Sequence, residues 1–150
     1  MDVIIRNASE KDSEDVIRLL EQLWPNRELD KDKQRNTFVA SLNEKNDFLF
    51  CSEYGGKVVG FCGGTTFNSF NSSGKLCHLT TLIVDNGNRN LRIGSKMVDH
   101  LKEWARDNGC VTVELDTALY RLDAHRFYER EGFAKRAFTY SYSLKRKEQI

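Results

Sequence analysis

Val84-Asp85-Asn86-Gly87-Asn88-Arg89-Asn90-Leu91-Arg92-Ile93-Gly94-Ser95 is the stretch on which the fold turns. An apolar strand, Leu76 to Val84, runs into it. A helix runs out of it, with Ile93, Met97, Val98, Leu101, Trp104 and Ala105 at helical spacing until Asn108-Gly109. Such a junction presents free backbone N–H groups at the positive end of a helix dipole, which together suit a phosphate. The pattern is neither Walker A nor G-x-G-x-x-G, and an ordinary connecting loop with two arginines ahead of Gly94 reads the same way.

Upstream of that junction, Val3 to Arg6 reads as a short strand, and Ser9 with Asp12 approximates a capping box for a helix from about Glu10. Val16, Ile17, Leu20, Leu23 and Trp24 form its apolar stripe, and Pro25 stops it. Residues 26–47 are charge-rich, with Leu29, Phe38, Val39 and Leu42 suggesting a second helix over an opening. Phe48 to Cys51 and Val58 to Thr66 flank a Tyr54-Gly55-Gly56-Lys57 hairpin turn, and a polar break spans Asn68 to Gly74. Downstream, Val111, Val113 and Leu115 alternate with Thr112, Glu114 and Asp116 as a strand does. A short helix from Leu122 to Glu131 ends at Gly132, and Phe133 to Leu144 supplies two more strand-like stretches. Strand, two helices, three strands, helix, strand, helix and strands make a mixed α/β sheet.

A second motif lies in that last helix: Arg121-Leu122-Asp123-Ala124-His125-Arg126-Phe127-Tyr128-Glu129-Arg130-Glu131-Gly132-Phe133. Ala124, Phe127 and Tyr128 share a helical face, which by itself reads equally as core packing. Together and in this order, the two motifs resemble the GNAT superfamily of acetyl-CoA-dependent N-acetyltransferases. The family's loop, Arg/Gln-x-x-Gly-x-Gly/Ala, is matched by Arg89, Ile93 and Gly94. Its later signature is matched by Ala124, Phe127-Tyr128 and Gly132-Phe133, in the Arg-x-x-Ala-His-x-Phe-Tyr-Glu-x-x-Gly-Phe form of small bacterial members.

The resemblance implies a single-domain α/β fold over residues 1–150: a mixed, mostly antiparallel twisted sheet flanked by about four helices, with two central strands splayed. It implies acetyl-CoA as co-substrate. Leu91 to Ser95 (Leu91, Arg92, Ile93, Gly94, Ser95), with Arg89 and Asn90, would cradle the pyrophosphate. Leu82, Ile83 and Val84 would pair with the pantetheine arm like an added strand, Val111 to Leu115 would be the splayed strand, and Arg121, Ala124 and Phe127 would also contact the coenzyme. Two positions depart from the pattern. Arg92 stands where the family usually has its first loop glycine; a left-handed backbone there costs roughly 1–2 kcal/mol, although the guanidinium could also reach a phosphate. Arg121 stands where many members carry Asn.

The chemistry makes two demands. An alkylammonium with a pKa near 10.4 needs about 4–5 kcal/mol to present a free amine at pH 7, unless a base or water chain takes its proton. The departing thiolate is better stabilised by an acid, and the resemblance assigns that role to Tyr128. For the base, His78 and Thr80 read as sharing a strand face with Leu82 and Val84, while Glu114 and Asp116 share the polar face of theirs. Each is equally a hydrogen-bonded or solvated strand residue, and the base stays open among them.

The 150 residues set the prior at one domain, able to bury about 68–70% of the unfolded chain's surface. Twenty-three basic against twenty-two acidic side chains leave a net charge of +1, so no global field draws nucleic acid or an anionic membrane. No metal-ligand spacing is present. Cys51, Cys62, Cys77 and Cys110 lie far apart with no C-x-x-C pair, which suggests reduced thiols in a cytoplasm. The N-terminus lacks the basic and long apolar regions of a signal peptide, and no run reaches membrane-spanning length.

The expected partner is a small-molecule amine. Leu23-Trp24-Pro25, Trp104 to Cys110 and Asp116 to Leu119 also look like pieces of aminoglycoside acetyltransferases. An enzyme for polycations should wall its pocket with carboxylates, yet residues 26–47 balance Glu28, Asp30, Asp32, Glu44 and Asp47 against Arg27, Lys31, Lys33, Arg35 and Lys45. The same motifs also suit a module that binds acyl-CoA without turnover, or a peptide or protein acetyltransferase. Homodimers are common in such families, and no residue here argues for one independently.

Overall fold

The structure, a computed structural model, describes residues 2–145. The chain divides into two compact units, Met1–Leu115 and Asp116–Ile150, taken in turn.

The first unit is built on a five-stranded sheet in the order β1-β2-β3-β4-β5. Its strands are β1 (Ile4–Asn7), β2 (Asp47–Tyr54), β3 (Lys57–Ser69), β4 (Gly74–Val84) and β5 (Cys110–Leu115). The first four pair antiparallel, and β5 pairs parallel to β4. The β2–β3 hairpin closes at Tyr54↔Lys57, and Gly55 and Gly56 take φ of 61° and 77°. Both positive values are what the right-handed strand twist demands of a two-residue turn, so the double glycine is the cause of the tight connection.

Helices α1 (Ser13–Leu23) and α2 (Lys31–Leu42) cover one face of the sheet. There Val16, Leu19, Leu20 and Phe38 bury against Cys51, Val58, Phe61 and Ile83. A 3₁₀ turn, Glu10–Asp12, precedes α1, and Ser9 N–H donates to the Asp12 carboxylate at 2.8 Å. The same carboxylate takes a two-pronged contact from the Arg6 guanidinium at 2.8 Å, and Arg6 also reaches Glu53 at 2.9 Å, tying β1 to β2 and to the start of α1. Asp30 caps α2 by accepting the Lys33 N–H.

Helix α3 (Ile93–Asp107) takes the opposite face, burying Ile93, Met97, Val98, Leu101 and Ala105. Its Trp104 ring lies 5.0 Å from Phe48 and 5.8 Å from Phe50, centroid to centroid. A cover on both faces of the sheet follows from the apolar stripes of α1 and α3, each of which has one apolar face to bury, while α2 adds chiefly Phe38.

In the second unit α4 (Leu122–Arg130) is the one regular element among the described residues. Phe133 to Leu144, expected to supply strand-like stretches, carries no strand. Phe138, Tyr140, Tyr142 and Leu144 keep the alternation of a strand but are 72%, 92%, 88% and 91% exposed. Alternation specifies which face of an extended segment is apolar; it does not supply the ladder partner that makes the segment a strand.

Candidate active site

The parallel ladder between β4 and β5 runs from Lys75↔Cys110 to Leu79↔Leu115 and ends there. β4 continues for five more residues, Thr80 to Val84, paired to β3 on its other side through Cys62↔Leu82, Phe61↔Ile83 and Gly60↔Val84. The ladder thus stops at Leu79 because β5 itself ends at Leu115. At the same point β4 bulges: Gly63 faces Thr81 and Gly64 faces Leu79, leaving Thr80 as the extra residue. Thr80 is exposed, and its Oγ1 donates to the Gly63 carbonyl at 3.0 Å. Gly64 is obligatory beside the bulge, since a Cβ there would lie 2.0 Å from the His78 carbonyl oxygen.

The bulge corrects one sequence expectation. Residues directly opposite in a ladder share a face. His78 pairs with Thr65 and, across β3, with Asp47, whereas Leu82 pairs with Cys62 and, across it, with Phe50. Asp47 and Phe50 point to opposite sides of β2, so His78 lies on the face opposite Leu82 and Val84, not with them. One inserted residue reverses every later side chain. His78 is instead half-buried and stands across from Glu114 in the parallel ladder.

Past Val84 the chain enters a 3₁₀ turn, Asn86–Leu91, and then Arg92, whose φ of 56° and ψ of 29° are left-handed. Arg92 thus takes the strained backbone that its glycine-like position implied, at roughly 1–2 kcal/mol. Its side chain is exposed and makes no cap hydrogen bond to α3. Ile93, Gly94 and Ser95 follow as the first three helical positions, at the positive end of a fifteen-residue dipole. Arg89, also exposed, turns back so that its Nε donates to the Val84 carbonyl at 3.4 Å. Asn90 is exposed and Leu91 half-buried.

Sequence reading missed what holds this turn. Arg18 and Gln22, one helical turn apart on α1, both reach Asp85: Arg18 Nη1 at 3.0 Å and Gln22 Nε2 at 3.4 Å. Gln22 Oε1 accepts the Asn86 N–H at 2.9 Å, Asp85 accepts the Gly87 N–H at 3.3 Å, and Arg18 Nη2 donates to the Val58 carbonyl at 3.0 Å. Burial pushes the Asp85 carboxyl up, but the Gly87 N–H, Arg18 and Gln22 together outweigh it and hold it below its ordinary value. The signal available in the sequence was a donor pair at i and i+4 on the polar face of α1.

In the second unit Tyr128 is half-buried with its ring edge-on to Phe127 at 5.2 Å and to Phe133 at 5.7 Å. Ala124 and Phe127 are half-buried beside it on the same helical face. Arg121 opens α4, its guanidinium 5.9 Å over the Tyr120 ring. His125 Nε2 lies 2.9 Å from the Ala118 carbonyl, and Asp116 accepts the Thr139 hydroxyl at 2.8 Å.

A recess of about 290 Å³ lies elsewhere, at the β1–β2 edge by Asn7, Ser41, Asp47 and Trp104, and holds none of these residues. Its Ser41 hydroxyl is already bonded to Asp47 at 2.7 Å. No cluster of three or more metal-ligating side chains occurs among the described residues, and no helix there is long and apolar enough to cross a membrane.

Comparison with known proteins places this geometry. The Acetyltransferase (GNAT) family matches residues 13–133, which reach across both units. The chain is 31% identical over 140 residues to the aminoalkylphosphonate N-acetyltransferase of Salmonella typhimurium, covering 93% of this chain and 90% of that one. Among solved structures, an aminoglycoside N-acetyltransferase in complex with CoA superposes with a TM-score of 0.84 at 18% identity, over 96% of this chain and 95% of that one. Glucosamine-6-phosphate N-acetyltransferase from Arabidopsis thaliana gives 0.79 at 22% identity, over 97% and 100%. With the family matched over residues 13–133 and a 31% identical relative covering most of both chains, this chain belongs to the GNAT family of acetyltransferases, whose members are acyltransferases using acetyl-CoA.

Proposed function

We propose that this enzyme moves the acetyl group of acetyl-CoA to a primary amine of a small molecule by direct attack of the amine, with Tyr128 as general acid. The observation that carries the reading is the junction after Val84, where β4 leads through left-handed Arg92 into the N-terminus of α3. Bound acetyl-CoA supplies an activated acyl group as a thioester. Ile93, Gly94 and Ser95 offer backbone N–H groups and a helix dipole to its diphosphate, with Arg89, Asn90, Leu91 and Arg92 around them. The Leu82–Val84 edge receives the pantetheine arm as a sheet edge receives a strand. Arg121, Ala124 and Phe127 complete the coenzyme contacts in this reading.

Tyr128 gives its phenolic proton to the leaving sulfur, a task suited to a group with an ordinary pKa near 10. The amine must first lose a proton, and His78, Thr80, Glu114 and Asp116 are the candidates to relay it through water. Of these, exposed Thr80 stands at the bulge just past the last rung of the β4–β5 ladder, and His78 and Glu114 are opposite each other at the second-last rung.

For the acceptor, the likeness to the aminoalkylphosphonate enzyme favours a small amine that carries an acidic group. The carboxylates of residues 26–47 support this against a polycation. Asp32 is paired with Arg35, Asp30 caps α2 and Asp47 accepts the Ser41 hydroxyl, so three of the five carboxylates there are already engaged. The four free thiols support a reducing, cytoplasmic setting.

The test is calorimetric titration with acetyl-CoA, followed by free-thiol release with aminoalkylphosphonates, simple alkylamines and aminoglycosides. The expected result is micromolar binding and fastest turnover with an aminoalkylphosphonate. Binding without turnover of any amine would turn the reading to a coenzyme-binding module, and no binding would overturn it.

A further inference from the structure

We propose that Gln22 and Arg18 of α1 are positioning residues for the coenzyme loop, clamping its first turn so that the N–H groups at the start of α3 are held ready for the diphosphate. The inference rests on the acetyl-CoA reading and adds to it a part of the chain that neither motif contains.

The argument is one of unsatisfied groups. A 3₁₀ turn leaves its first N–H groups without internal partners, and they must find side chains or water. Here Gln22 Oε1 takes Asn86 and Asp85 takes Gly87. Gln22 is suited by chemistry as well as by place, because its amide accepts from Asn86 N–H with one end and donates to the Asp85 carboxylate with the other. A glutamate in its place would set a second carboxylate against Asp85, and an aliphatic residue would lose both bonds. Arg18 supplies the countercharge to Asp85 and anchors itself on the Val58 carbonyl of β3. The first turn is thereby fastened to α1 and to the sheet at once. Six residues beyond Asn86 the backbone reverses at Arg92, so the angle at which α3 presents its N–H groups is set from a fastened start.

The experiment uses the full chain as wild type, Gln22→Leu and Gln22→Glu. Amide exchange at Asn86 and Gly87 in the free protein reads the clamp itself. Titration with acetyl-CoA, and kinetics with acetyl-CoA against the phosphate-free thioester S-acetyl-N-acetylcysteamine, read its use. In both variants the Asn86 amide should exchange faster, and Kd and KM for acetyl-CoA should rise about ten-fold, the size of one lost hydrogen bond to a backbone group. The kcat at saturation should stay within about two-fold, and kcat/KM with the phosphate-free thioester should follow wild type. Unchanged acetyl-CoA affinity would overturn the proposal, and so would an equal loss with both thioesters, which would mean general damage. A wild type that protects Asn86 yet does not bind acetyl-CoA would overturn the acetyl-CoA reading instead, and the clamp's role in binding would fall with that reading.

Discussion

Phe133 donates its backbone N–H to the carbonyl of Tyr128 at 3.0 Å and sets its ring edge-on to the Tyr128 ring, 5.7 Å between centroids. Gly132, at φ 93°, donates to Glu129, so the end of α4 is a Schellman closure with Tyr128 at its third-last helical position. The Gly-Phe pair of the signature is thus a local fastening for the very residue assigned the proton transfer. Gly132→Ala should lower stability by about 1–2 kcal/mol through the left-handed backbone, and should cut kcat by loosening Tyr128. Urea unfolding alongside steady-state kinetics checks both.

Tyr128→Phe keeps both ring contacts and removes only the hydroxyl. The expected outcome is a fall in kcat of about a hundred-fold or more with coenzyme affinity unchanged. An unaltered kcat would sink the acid role.

Arg92 occupies a left-handed backbone without capping its helix. Arg92→Gly should relieve the strain and raise stability by about 1 kcal/mol, less than the full penalty because glycine also loosens the unfolded chain. If the guanidinium contributes to phosphate binding, the same change should weaken acetyl-CoA binding several-fold, and more so at low salt. Thermal unfolding and titration at two ionic strengths separate these effects.

The Arg6 guanidinium holds the buried Asp12 carboxyl below its ordinary value, outweighing the opposing effect of burial. A depressed carboxylate contributes stability that is present above its unfolded pKa and disappears as pH falls through its folded one. Unfolding free energy should therefore decline below about pH 4, and Arg6→Met should lower stability at pH 7 by roughly 2 kcal/mol. Urea titrations from pH 3 to 7 test this, the difference between wild type and variant shrinking at the acid end.

Much of this was legible in the residues. The helix stripes, the double-glycine hairpin and the strand-to-helix junction each rest on a local rule of spacing or backbone freedom, and each lies where that rule put it. Arg92 was legible too, because a left-handed requirement belongs to the position and not to the side chain. Pairing was less legible. The face of His78 depends on a bulge at Thr80 that is a property of two strands together, and Phe133 to Leu144 carries the strand's pattern without its ladder. The Gln22–Asp85 contact joins positions 63 residues apart, and the i, i+4 spacing of Arg18 and Gln22 does not by itself name the partner.

Cys51, Cys62 and Cys77 are buried, and burial pushes the thiols of Cys51 and Cys77 up to about 12 and that of Cys62 higher still. Only thiolates react readily with disulfide reagents, so the folded protein offers such a reagent little besides half-buried Cys110. The same colour reaction that counts coenzyme released at each turnover therefore also keeps watch on the protein. Under assay conditions its signal belongs to catalysis, and a slow rise toward three further equivalents per chain would mark molecules that have opened.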